Sequence, residues 1–180
     1  MGGRGKKTAY LGFFCTVAIL LGYVEALIPV FTTVPGMKVG LPNLAVVTVL
    51  YLYSWREALL VSLVRIAVNG LLFGSFFSFS FSLAGGLLSL LVMAAVKKLG
   101  VFDCTGVSLA GGVAHNAGQI AVAAVLVDSL HVAYYFVPLA FTGLAAGAVI
   151  GLLSGVLIRR LSKAAPDLRG EFHEKGHKKR

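Results

Sequence analysis

Apolar residues fill this chain in six blocks separated by short polar breaks. The first covers residues 8–28, behind a basic start of Arg4, Lys6 and Lys7. Residues 29–42 form a loop turned at Pro35-Gly36. A short second block, residues 43–53, joins a third, residues 58–73, through the tight connection Ser54-Trp55-Arg56-Glu57. Phe and Ser then alternate over residues 74–82. Alternation is the pattern of a strand, but a lone strand in lipid leaves its backbone unpaired. The stretch is therefore placed at an interface or as the start of the fourth block, which reaches Val96 and stops at Lys97-Lys98. Residues 100–105 make a loop, residues 106–127 the fifth block, residues 128–135 a loop and residues 136–158 the sixth block. A membrane-crossing helix needs about 20 apolar residues. The pattern predicts an all-α integral membrane protein, a compact bundle of six transmembrane helices over residues 1–160, with a basic, disordered tail over residues 161–180.

Composition points the same way. Of 180 residues, 58% are hydrophobic and 13% charged, against about 25% charged in soluble domains, and mean hydropathy is +0.89. No soluble catalytic domain fits beside six helices. The basic start followed by an apolar run imitates a secretory signal. The run is long, no small-x-small cleavage site ends it and five more blocks follow, so it reads as helix 1.

The net charge of +9 is explained by topology and not by nucleic acid. Six crossings put every Lys and Arg except Lys38 and Arg65 on the side of the two termini. The positive-inside rule then makes both termini cytoplasmic and the location the cell membrane, multi-pass. Tyr51, Tyr53 and Trp55, and on the other side Tyr134 and Tyr135, suit interfacial anchors.

The polar exceptions carry the candidate chemistry. Block five contains Gly111-Gly112-Val113-Ala114-His115-Asn116-Ala117-Gly118-Gln119. His115 and Gln119 are one turn apart with Asn116 beside them, and intramembrane polar groups face a bundle interior or a cavity. His115 reads as a packed histidine bonded to amide neighbours or as a ligand contact. Metal binding is disfavoured because no His, Cys or carboxylate stands at i+3 or i+4. In block three Arg65 and Asn69 are one turn apart, near the midplane. Arg65 is either neutralised structurally by carbonyls or Glu25, or anchors a ligand. Glu25 is an interfacial carboxylate or the partner of Arg65 or Lys38. Lys38 and Asn43 lie in the outer loop and at the start of helix 2; Lys38 reads as a solvated loop lysine or as a ligand contact.

Gly143, Gly147, Gly151 and Gly155 repeat every fourth residue, a smooth stripe for packing inside the chain or against a partner. Cys15 and Cys104 read as single thiols. His131 sits in a loop, and His173 and His177 lie in the tail. No cofactor is expected: haem and iron–sulfur ligand sets are missing, as is a GxxxxGK[ST] nucleotide loop.

Several stretches together resemble a known family: Glu25 with Leu27-Ile28-Pro29, Pro35-Gly36-Met37-Lys38-Val39-Gly40-Leu41-Pro42-Asn43, Glu57-Ala58-Leu59-Leu60-Val61-Ser62-Leu63-Val64-Arg65, and Ala114-His115-Asn116-Ala117-Gly118-Gln119. They resemble the bacterial membrane family labelled Gx transporter or heptaprenyl diphosphate synthase component I, over roughly residues 7–160. That family is similar to the substrate-binding subunits of energy-coupling factor transporters. The resemblance implies six helices, cytoplasmic termini, a small-molecule site near the outer face, and partners in a coupling subunit and two ATPases. It also implies a small-x-x-x-small docking motif on helix 1, here Gly12 and Thr16 in place of two alanines. Pro42 stands where alanine is more usual.

Three functions follow as expectations. The first is a substrate-binding transport subunit, holding a small, anionic substrate with Arg65, Lys38 and His115, and orienting it through Asn43, Asn69, Asn116 and Gln119. The second is prenyl diphosphate synthesis, in which the chain is a non-catalytic membrane partner. Magnesium diphosphate chemistry needs clustered oxygen ligands, and no two of the chain's aspartates are near each other in sequence. The third is a scaffold in a flavin- or quinone-linked redox system.

Overall fold

The computed structural model describes residues 3–27 and 40–164. Lys38, His173, His177 and the tail beyond residue 164 lie outside the described residues. Within them the chain forms six α-helices and no strand: α1 Gly3–Leu27, α2 Asn43–Leu52, α3 Trp55–Phe73, α4 Phe76–Leu99, α5 Cys104–Val127 and α6 Phe136–Ala164, with a 3-10 turn at Leu130–Tyr135 before α6.

The breaks are set by local chemistry. Ser54 caps α3 by accepting from the Arg56 N–H, which starts that helix at Trp55. Ser75 accepts from the Ser78 N–H and caps α4, so the Phe–Ser alternation becomes helical turns that satisfy their own backbone. Asp103 accepts from the Gly106 N–H at 2.8 Å, and α5 begins at Cys104, ahead of the expected start. Gly100, at φ 72°, ends α4 in the left-handed conformation. At the other limit, α6 runs through Arg159-Arg160 to Ala164. The boundary expected at residue 160 is displaced because Arg and Lys are good helix formers. Likewise α1 starts at Gly3, ahead of the apolar run.

The helices do not contribute equally to a membrane reading. The segments Gly5–Leu27, Phe76–Leu99, Cys104–Val127 and Leu130–Ala164 are long and apolar enough to cross. The 10-residue α2 reaches only about 15 Å, half of a roughly 30 Å hydrocarbon core. The 19-residue α3 includes Arg56, Glu57 and Arg65. The expectation of six spans is thus met by length and composition for four helices.

The helices α1, α3, α4, α5 and α6 pack in succession, and α2 lies inside this arc against α1, α3 and α6. Residues 45–50 of α2 are all buried. A helix apolar on every side belongs in an interior, and α2 supplies the largest share of the core, alongside Phe14 and Ala18 of α1, Leu90 and Met93 of α4 and Ile150 of α6. Lys97 of α4 donates to the Leu50 carbonyl near the end of α2, a favourable place for a cation. Its ammonium stands 4.7 Å from the Tyr51 ring centroid.

Lys7 donates to Glu57 at 2.7 Å, tying the start of α1 to the α2–α3 connection. Burial alone would raise the Glu57 carboxyl, but hydrogen bonds from Lys7 and Ser54 outweigh it and hold the group below its ordinary value. A carboxylate lowered in the folded state stabilises above its unfolded pKa, and that contribution disappears as pH falls through the lowered value. Glu57→Gln should therefore flatten the acid side of the unfolding profile while leaving the neutral-to-alkaline side parallel to wild type. Thermal midpoints across a pH series would measure this, and an unchanged acid side would sink it.

Candidate functional site: a polar cavity at the start of α2

The site is built where α2 begins. Gly40 has φ 81°, a conformation glycine adopts without strain, and its carbonyl accepts from the Asn43 N–H at 2.8 Å. Pro42 occupies the cap position with φ −61°, and no side chain caps the helix. The Leu44 N–H likewise turns back to the Leu41 carbonyl at 3.1 Å, and this start is half-buried, with the continuously buried run beginning at Ala45. Around it is a cavity lined by Gly40, Asn43 and Val47 on the α2 side, Ser89 and Met93 of α4, and glycine-rich faces of α5 and α6. The free space is narrow, with about 30 Å³ of room for water-sized guests.

Arg65 comes from α3 and is 7% exposed. Its Nη2 donates to Asn43 Oδ1 at 2.8 Å, while its Nε has no partner among the described residues. Gly86 of α4 makes room on that side: a Cβ there would stand 2.8 Å from Ile66 Cδ1 and 3.8 Å from Arg65 Nη2. The neighbouring Gly85 does the same for α5, where a Cβ would meet the His115 carbonyl at 2.8 Å and its ring at 3.0 Å. His115 and Asn116 both line the cavity and are buried. Asn116 also donates to the Leu139 carbonyl, fastening α5 to α6. Glu25, near the end of α1, accepts from the Gly40 N–H and lies close enough to act on the charge of Arg65.

Asn43, His115 and Asn116 therefore share the cavity, with Arg65 joined to it through Asn43 and Glu25 through Gly40. Two expected members stand elsewhere. Asn69 faces α1, where a Cβ at Gly22 would lie 1.8 Å from its Nδ2. It is one turn beyond Arg65, at a height where α2 has not begun, so α1 is what it meets. Gln119 is buried against Gly85 of α4 and is not among the residues lining the cavity.

The glycine stripe on α6 is used within the chain for three of its four positions. A Cβ at Gly143 would stand 2.6 Å from the Gly112 carbonyl, at Gly147 2.7 Å from the Ser108 carbonyl, and at Gly151 2.7 Å from Thr105 Cα. Gly155 meets only Arg159 Nη1, at 3.9 Å. It falls one turn past Gly151, where α5 has not yet started, and so is no part of this seam. On α1, Gly12 and Thr16 are exposed, with no atom within 4 Å of a Cβ at Gly12 and the Thr16 hydroxyl donating to the Gly12 carbonyl at 3.0 Å.

Ser89 and Ser108 were not legible as wall residues from composition alone. A signal existed for Ser108: with Gly111, Gly112 and His115 it follows the i, i+3, i+4, i+7 spacing of one helix face. Among the described residues, no three His, Cys, Asp or Glu side chains gather as a metal would require.

These features define a class: a helical membrane protein with a buried polar cavity built around the start of a half-length helix. The chain belongs to the heptaprenyl diphosphate synthase component I family, whose family model matches residues 14–157 and so takes in every cavity residue named above. No curated protein and no solved structure matches the chain.

Proposed function

We propose that the protein is the substrate-binding membrane subunit of a small-molecule transporter of the energy-coupling-factor type, crossing the cell membrane six times with both termini in the cytoplasm. The observation that carries this reading is that Asn43, His115 and Asn116 line one interior cavity, with the buried Arg65 held against it through its hydrogen bond to Asn43. Burying an ionised group at this depth is expensive, and such groups mark ligand or ion sites by default. The open face of α1 at Gly12 and Thr16 suits docking of a coupling subunit. ATP use then belongs to partner ATPases. Orientation rests on the one-sided distribution of Lys and Arg.

The test is direct. The full chain, purified in mild detergent, should carry a stoichiometric small molecule that mass spectrometry identifies. Arg65→Ala and His115→Ala should each retain less than about a tenth of it, the change that a lost buried polar contact of about 1.4 kcal/mol gives. A ligand retained in full by both variants would overturn the reading.

The family description favours a second reading, a non-catalytic membrane component of a prenyl diphosphate synthase system; a place in a flavin- or quinone-linked system is a variant of it. Among the described residues no three His, Cys, Asp or Glu side chains gather, whereas magnesium diphosphate calls for clustered oxygen ligands. On this reading the chain stimulates prenyl transfer by a separate synthase, and Arg65→Ala leaves that stimulation intact. Prenyl transfer by the lone chain would defeat both.

A further inference from the structure

We infer that Arg65, beside Asn43 at the start of α2, is the docking point for an anionic group of the ligand, a carboxylate or phosphate, and that the Glu25 carboxylate is the internal group this anion displaces. The inference rests on the cavity being a ligand site.

Three independent features point to it. First, α2 is a half-length helix, buried from Ala45 to Leu50, whose half-buried start borders the cavity. The Asn43 and Leu44 N–H groups turn back to the Gly40 and Leu41 carbonyls, so what the start offers is the positive end of the helix dipole, and half-helix starts within a membrane suit anionic substrate groups. Here no side chain caps it. Second, Arg65 is more than nine-tenths buried, yet its guanidinium is incompletely used: Nη2 binds Asn43, the first residue of α2, and Nε has no partner among the described residues. A buried guanidinium with an unused Nε–H at a helix start has one natural complement, an oxyanion that accepts from it. Third, an oxyanion already stands at the approach. Glu25 accepts from the Gly40 N–H, in the turn that leads into α2, within electrostatic reach of Arg65. A cationic ligand would meet two positive features against one carboxylate, and an uncharged one would leave them as they are.

Glu25 belongs to α1, the helix with the open Gly12 and Thr16 face. Displacing its carboxylate from Gly40 unties the end of α1 from the start of α2, so occupancy of the cavity is communicated to the helix offered to a partner.

The experiment uses the full chain in detergent, with sodium phosphate, sodium diphosphate and sodium acetate as probes, each against sodium chloride at equal ionic strength. The thermal unfolding midpoint is followed as a function of anion concentration. At least one probe should raise the wild-type midpoint, and acetate against the phosphates decides between carboxylate and phosphate. Glu25→Gln keeps shape and removes the competing charge, so it should bind that probe about tenfold more tightly. Arg65→Lys keeps the charge but loses the planar fork, so its affinity should fall about tenfold. The inference is overturned if no probe shifts wild type or Glu25→Gln, if Glu25→Gln binds no more tightly, or if Arg65→Lys binds as well as wild type. A co-purified ligand lost in Arg65→Ala and His115→Ala, with no anion response, would remove the anionic assignment and leave the cavity reading standing. A ligand indifferent to both substitutions would remove the cavity reading itself.

Discussion

Gly112→Ala should destabilise the bundle by about 3 kcal/mol or more, the upper end of what overpacking by small groups costs. The added Cβ would stand 2.1 Å from the Gly143 carbonyl oxygen and 3.3 Å from Gly147 Cα. Both obstacles are backbone, so no side chain can rotate away, and α5 and α6 must move apart. That seam is extensive, since Gly143, Gly147 and Gly151 place α6 directly on the α5 backbone. For a chain of 180 residues, 3 kcal/mol corresponds to a fall in thermal midpoint of roughly 6–12 °C. Gly155→Ala is the control. Its Cβ meets only the end of the Arg159 side chain at 3.9 Å, and alanine is the better helix former, so its midpoint should stay level or rise slightly. Equal losses at Gly112 and Gly155 would mean that the seam is not where stability resides.

The second large effect is at Asn43. Asn43→Leu removes the oxygen that accepts from Arg65 Nη2 and leaves a buried guanidinium with a further unsatisfied donor. A hydrogen bond to a charged group is worth about 1.5–3 kcal/mol, and a charge left unpaired costs the full desolvation of that group. Asn43→Leu should fall in that range. Combining it with Arg65→Met should be less damaging than the two single losses added together, by about 1 kcal/mol or more, because the stranded charge goes with its partner. Strict additivity in thermal or denaturant unfolding would show that the two residues do not form a functional pair. The double variant should still lack the cavity ligand, which separates repair of stability from repair of binding.

These residues show how far the sequence can be read. The six helices were legible because apolar blocks, capping Ser and Asp residues and terminal Lys and Arg all act locally. Ser75 shows it best: one hydroxyl on the Ser78 N–H decides that the Phe–Ser stretch is helix. Arg65 and His115 stood out as well, since a charge or an imidazole in an apolar run is visible without knowing its neighbours.

What faces inward was much less legible. In a soluble helix the polar face marks the outside. Here lipid is as apolar as the core, so Val47 inside α2 and Leu91 on the exposed side of α4 look alike in sequence though one is buried and the other 63% exposed. Helical rotation shows only through rare polar and small residues, and even these mislead where a helix ends. Asn69 shares a face with Arg65 but lies where α2 has not begun, and Gly155 continues a stripe past the start of α5. The sequence by itself determined the helices and the handful of polar groups that must be sheltered. Only the tertiary structure decided that α2 is the enclosed helix, that Arg65 binds Asn43 at its start, and that His115 lines the same cavity as Asn43, because depth and rotation come from contacts between helices and not from the period within one.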